Sequence, residues 1–96
     1  MRDYEVTVVI QPQMEETERN QLIERIAEIL VPGQKEEDIT INHWGLRRLA
    51  YPIKKFEEGY YVFYEANIDP TSLAEIERTM RYIEDVLRYL VIRKDE

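Results

Sequence analysis

"GLRRLAYPIKKFEEGYYVFYEAN", residues 45–67, decides how this chain folds. Residues 46–53 carry the apolar spacing of a strand and continue a run opened by Ile39 and Ile41. Residues 54–59 are polar and end in Gly59, which fits the turn of a long hairpin. Residues 60–67 alternate again, Val62, Tyr64 and Ala66 on one side against Tyr61, Phe63 and Glu65 on the other. Gly45 interrupts the first arm, and a glycine inside a strand pattern predicts a bulge or bend. The same stretch is a charge anomaly. Arg47, Arg48, Lys54 and Lys55 occur with no acid between residues 45 and 55, in a chain whose formal net charge is −7.

Working outward, the pattern predicts a strand and a helix on each side of this hairpin. Tyr4, Val6, Val8 and Ile10 share one side of a first strand, with Glu5, Thr7 and Val9 on the other, and Pro12 ends it. A helix follows from about residue 15 or 17 to Leu30. Leu22, Ile23, Ile26, Ile29 and Leu30 make its apolar stripe, and Pro32-Gly33 closes it. After the hairpin, Asp69-Pro70 has the chemistry of a helix start. Leu73, Ile76, Met80 and Ile83 mark that helix's buried face, and residues 86–93 read as a last strand.

The order is therefore βαββαβ, in one domain spanning residues 1–96. Two helices and four such strands are too few for a barrel. They predict an α+β, ferredoxin-like fold: one four-stranded antiparallel sheet with both helices on one face. Right-handed crossovers put the first and third strands in the centre.

Such a sheet leaves one face without helices. With Val6 and Val8 turned toward the helices, Val9, Tyr61 and Phe63 turn away. In the last strand, Leu90 and Ile92 are expected to turn in, and Tyr89 and Val91 out. Val9, Tyr61, Phe63, Tyr89 and Val91 then form an apolar patch, and a contiguous patch on a soluble protein marks an interaction surface.

Composition excludes most chemistry. The 96 residues include no cysteine, so there is no disulfide framework and no thiol nucleophile. The opening MRDYEVTVVI starts a strand pattern at once and does not read as a signal peptide, and no apolar stretch is long enough to span a membrane. His43 is the only histidine and has no second soft ligand, which leaves a zinc site without support. Ser72 sits at a helix start with no base nearby, so a nucleophilic triad has none either. Gly33, Gly45 and Gly59 form no phosphate-cradling loop. What remains is a binding protein.

The bulk acidity argues against a general nucleic-acid binder, and the basic stretch argues for one localised face that meets a polyanion. An RNA-recognition motif of this fold stacks bases on third-strand aromatics, and EGYYVFYEA has them. Yet Glu58 stands where a cation is expected, Glu65 adds negative charge to that face, and both repel phosphate. A ligand-sensing module of the same fold tends to carry glycine in the loop after its first strand, and here that loop is Gln11-Pro12-Gln13-Met14.

Gly45, Arg47, Leu49, Ala50, Tyr51, Ile53 and Lys54 together resemble the hallmark of the bacterial small-subunit ribosomal protein six family. The likeness extends over nearly the whole chain. MRDYEV is similar to the family's Arg-x-Tyr-Glu opening, Gly59-Tyr60-Tyr61 to its third strand, and EDVLRYLVIRK, residues 84–94, to its last. Gln11-Pro12-Gln13 departs from the family's frequent Asn-Pro-Asn. The resemblance implies a structural part of the small ribosomal subunit, on a cytoplasmic or organellar ribosome. It implies pairing with small-subunit ribosomal protein eighteen and binding to the central domain of small-subunit ribosomal RNA. It implies no catalysis, no cofactor, no membrane and no small-molecule substrate. On that footing Arg47 and Arg48 are expected to contact phosphate, with Lys54 and Lys55 as a second, more flexible set. Arg2 and Arg88 join them through the motif positions they occupy.

Overall fold

The computed structural model describes residues 2–33, 35 and 37–94. The elements are β1 (Arg2–Ile10), α1 (Glu16–Leu30), β2 (Ile39–Ile53), β3 (Phe56–Ile68), a 3₁₀ turn (Pro70–Ser72), α2 (Leu73–Arg81) and β4 (Val86–Arg93). The strands form one antiparallel sheet in the order β2-β3-β1-β4. This is the predicted βαββαβ arrangement, with β1 and β3 central.

The core lies between one sheet face and the two helices. Val6, Val8 and Ile10 of β1 and Val62 and Tyr64 of β3 are at most 1% exposed, and they meet Leu22, Ile23, Ile26, Ala27 and Leu30 of α1 and Ile76 and Met80 of α2. Period-two burial on the strands and the stripe on α1 are two halves of one apolar contact. Tyr64 is a fully buried polar-tipped side chain in that contact. Its hydroxyl donates to the Ile23 carbonyl at 2.9 Å, which satisfies the buried phenol. Burial, and secondarily the Glu24 charge, pushes its pKa far above the ordinary tyrosine value.

Asp69 starts the second helical segment as its residue type predicts. Its Oδ1 accepts from the Thr71 amide at 3.0 Å and the Thr71 hydroxyl at 2.8 Å. Those two bonds, the backbone one first, hold its carboxyl below the usual range. Neither described helix is long and apolar enough to cross a membrane.

The hairpin departs from expectation at its tip. The turn is only Lys54-Lys55, closed by the Ile53–Phe56 pair, and residues 56–59 belong to β3. Gly59 is a strand residue, not a turn residue. A Cβ there would collide with Val9 Cγ1 and come within 3.5 Å of Leu49 Cδ2. The glycine is required by a contact with a strand about 50 residues away in sequence, which no local pattern reveals. The predicted bulge at Gly45 is present. His43 pairs with Val62 and Gly45 with Tyr61, so Trp44 is the extra residue, and Gly45 takes φ +84°. A second irregularity sets Leu49, Ala50, Tyr51 and Pro52 opposite the single Glu57.

Candidate nucleic-acid and partner interface

β1 and β3 fix which side chains reach the helix-free face. Thr7 pairs with Phe63 and Val9 with Tyr61, and all four face away from the helices. The β3 expectation for Tyr61 and Phe63 therefore holds. The expectation for β4 does not. Val8 pairs with Tyr89 and Val6 with Val91, so Tyr89 and Val91 pack toward the core. The Tyr89 hydroxyl also donates to the Glu77 carbonyl of α2 at 3.3 Å. Leu90 and Ile92 turn outward instead and stay about half exposed. β4 reads VLRYLVIR, apolar on both sides, so alternation alone had nothing to choose with. Val9 also departs from expectation. It has the outward parity but is only 4% exposed, and its Cγ1 occupies the space beside Gly59 that a side chain there would fill.

The open face is graded in charge. Its middle is apolar: Trp44, carried out by its bulge, stacks on Phe63 at a centroid distance of 5.3 Å and 10° between planes, beside Tyr61, Leu90 and Ile92. Trp44, Leu90 and Ile92 were not foreseen here. Trp44 had a signal, an aromatic directly before a mid-strand glycine. One end is acidic. Glu5 lies directly opposite Glu65 across β1 and β3, a like-charge pair that repels. Lys94 relieves it with a 2.6 Å bond to Glu65, and that bond and charge raise the lysine's pKa. Asp3, Glu37 and Asp38 line a cleft at the same end.

The other end is basic. Arg47 pairs with Gly59 and so lies on the open side, its Nε donating to the Trp44 carbonyl at 3.4 Å. Arg48 takes the opposite side and stands 3.8 Å from Glu57. Both partners are more than 70% exposed, so that pair contributes little. Tyr51 is exposed, and its hydroxyl accepts from Arg88 Nη1 at 3.2 Å. Lys54 Nζ reaches the Glu84 carbonyl, 3.4 Å away beyond α2. The curled hairpin thus gathers Arg47, Lys54, Lys55 and Arg88 at one end of the sheet, with Arg48 on the hairpin's other side. Arg2 is not with them. It begins β1, which runs toward the basic end and finishes at Ile10, on the order of 27 Å away at ~3.4 Å per residue.

Among the described residues no group of His, Cys, Asp or Glu is arranged to hold a metal ion. A curled ferredoxin-like sheet with an apolar middle, an acidic end and a basic hairpin defines a docking protein with two unlike surfaces. Comparison with known proteins specifies it further. A family model described as Ribosomal protein S6 matches residues 3–93. The small ribosomal subunit protein bS6 of Caldanaerobacter subterraneus subsp. tengcongensis is 45% identical over 97 residues, covering all of both chains. That of Heliobacterium modesticaldum is 40% identical over 96 residues, covering all of this chain and 99% of its own. The crystal structure of 30S ribosomal protein S6 from Thermotoga maritima superposes with a TM-score of 0.81 at 34% identity, over 97% of this chain and 87% of that one. The chain belongs to the ribosomal protein S6 family. It is a small-subunit ribosomal protein, a structural component and not an enzyme.

Proposed function

We propose that the chain binds the central domain of small-subunit ribosomal RNA together with small-subunit ribosomal protein eighteen. The basic hairpin end meets the RNA backbone, and the apolar middle with the acidic end receives the partner protein. The turn carries this reading. Lys54 and Lys55 have φ +49° and +72°, a left-handed pair that a two-residue hairpin ordinarily fills with Asn-Gly. Two lysines there cost backbone strain, and in return they put two charges at the most projecting point of the hairpin. Arg47, on the open side, and Arg88, held by Tyr51, are the next phosphate contacts, with Arg48 on the outer side of the hairpin. Arg2 serves a separate RNA contact at the far end of the sheet.

The partner face consists of Tyr61, Phe63 and Trp44 with Leu90 and Ile92, in place of Val9, Tyr89 and Val91. The acidic end and the −7 net charge favour a basic partner by steering and charge matching. The test is RNA binding by the reconstituted protein pair. Arg47→Ala lowers affinity and reduces the salt slope by about one, and Arg48→Ala has a smaller effect. Phe63→Asp and Leu90→Asp abolish pairing with an unchanged circular dichroism spectrum. Wild-type affinity and slope in Arg47→Ala would refute the phosphate assignment, and normal pairing by both aspartate variants would refute the face.

A further inference from the structure

We propose that Arg81, Arg88 and Lys54 form a clamp for one RNA backbone phosphate, in the cleft between the hairpin tip and the α2–β4 turn. The proposal rests on the RNA reading above and adds a residue, Arg81, that no sequence pattern pointed to. The three cations come from three elements: the β2–β3 turn, the last residue of α2 and the open side of β4. They line one cleft of about 310 Å³, whose other walls include Met80, Val86 and Leu87. No carboxylate lines it.

That composition fits a phosphate. Met80, Val86 and Leu87 bring no acidic side chain to the cleft, so no side chain there repels an anion. Two guanidinium forks offer paired N–H donors to non-bridging oxygens, and the ammonium adds a compact third charge. Two of the three are already positioned: Lys54 by the Glu84 carbonyl at 3.4 Å, and Arg88 by the Tyr51 hydroxyl at 3.2 Å. Arg81 has no hydrogen-bond or ion-pair partner among the described residues. The C-terminal end of α2 opposes an anion with roughly half an elementary charge, which three full positive charges outweigh. A phosphodiester carries one negative charge, which the three cations more than balance.

The experiment uses the reconstituted protein pair and a transcript of the RNA central domain, with salt titrations of Arg81→Gln, Arg88→Gln and the double variant. Arg78→Gln is the control, since Arg78 lies on the same helix, 3.8 Å from Glu75 and outside the cleft. Arg81→Gln is expected to weaken binding roughly tenfold and reduce the salt slope by about one, with Arg78→Gln like wild type. If both arginines hold one phosphate, the double variant costs less than the product of the single effects. Titration with inorganic phosphate, followed by amide shifts, should move residues 54, 81 and 88 together. Three outcomes overturn the clamp: wild-type binding by Arg81→Gln, strict multiplication of the single effects, or phosphate shifts that spare the cleft. Wild-type binding by Arg81→Gln with weakened Arg47→Ala removes the clamp and keeps the RNA reading. Wild-type binding by both removes the two together.

Discussion

The sheet beneath the helices and the hairpin beyond them obey different rules. Under α1 and α2, β1 and β3 pair without interruption over nine positions, and the inward residues are apolar. Past that cover, β2 breaks register twice, the turn takes left-handed backbone, and exposed cations replace the core. The first region gains its stability by removing apolar area from water. The second accepts strain to aim charge. Stability and binding are thus assigned to separate parts of one sheet that share β3, and substitutions should affect them separately.

The largest effect tests the covered region. Ile26 is fully buried on α1, and Ile26→Ala should lose roughly 2–5 kcal/mol through lost contacts and a cavity. Urea unfolding measures it, and RNA affinity of the folded fraction should be unchanged. Next comes the joint between the regions. Gly59→Ala should cost about 1–3 kcal/mol, because its Cβ meets Val9 and Leu49 in a packed contact. Gly45→Ala, which meets open space, should cost only its left-handed φ, about 1–2 kcal/mol. Wild-type stability in Gly59→Ala would show that the joint is not packed as described.

The turn offers the sharpest contrast, because stability and binding should move in opposite directions. Lys54→Asn with Lys55→Gly should raise unfolding free energy by about 1 kcal/mol by relieving strain. The same pair of changes should weaken RNA binding and flatten its salt dependence. A joint rise or joint fall would dissolve the division of labour.

The smallest effect is a change in pH dependence at Tyr64. The folded-state pKa of Tyr64 is raised, so its contribution is complete below the unfolded tyrosine value of about 10 and is lost as pH rises above it. Thermal melts should show wild type losing stability above that pH more steeply than Tyr64→Phe. At neutral pH the same variant should lose about 1 kcal/mol with its hydrogen bond to Ile23.

Where one face of an element was apolar and the other polar, the sequence was enough to read it. The α1 stripe, the Asp69 cap, the inward set of β3 and the βαββαβ order all follow from local pattern. Three features did not, each for a physical reason. β4 is apolar on both sides, so its facing is decided by pairing with β1. Gly59 answers to Val9, a residue distant in sequence, and looked like a turn glycine for that reason. Arg81 joins Lys54 and Arg88 only when the hairpin curls toward α2, a tertiary event that charge spacing does not encode. The basic stretch itself was visible at once. Which of its two arginines shares the open side depended on the Gly45 bulge and the register beyond it.

The four residues Leu49, Ala50, Tyr51 and Pro52, set against Glu57 alone, have an effect outside this molecule. β2 is an outermost strand, and a long flat outermost strand is a template on which further chains add and aggregate. Here the outer ladder is interrupted by a bulged segment, and Pro52 within it has no amide hydrogen to offer. An incoming strand finds no continuous row of donors along that border. The irregularity that curls the hairpin therefore also makes that border a poor template for a second copy of the chain.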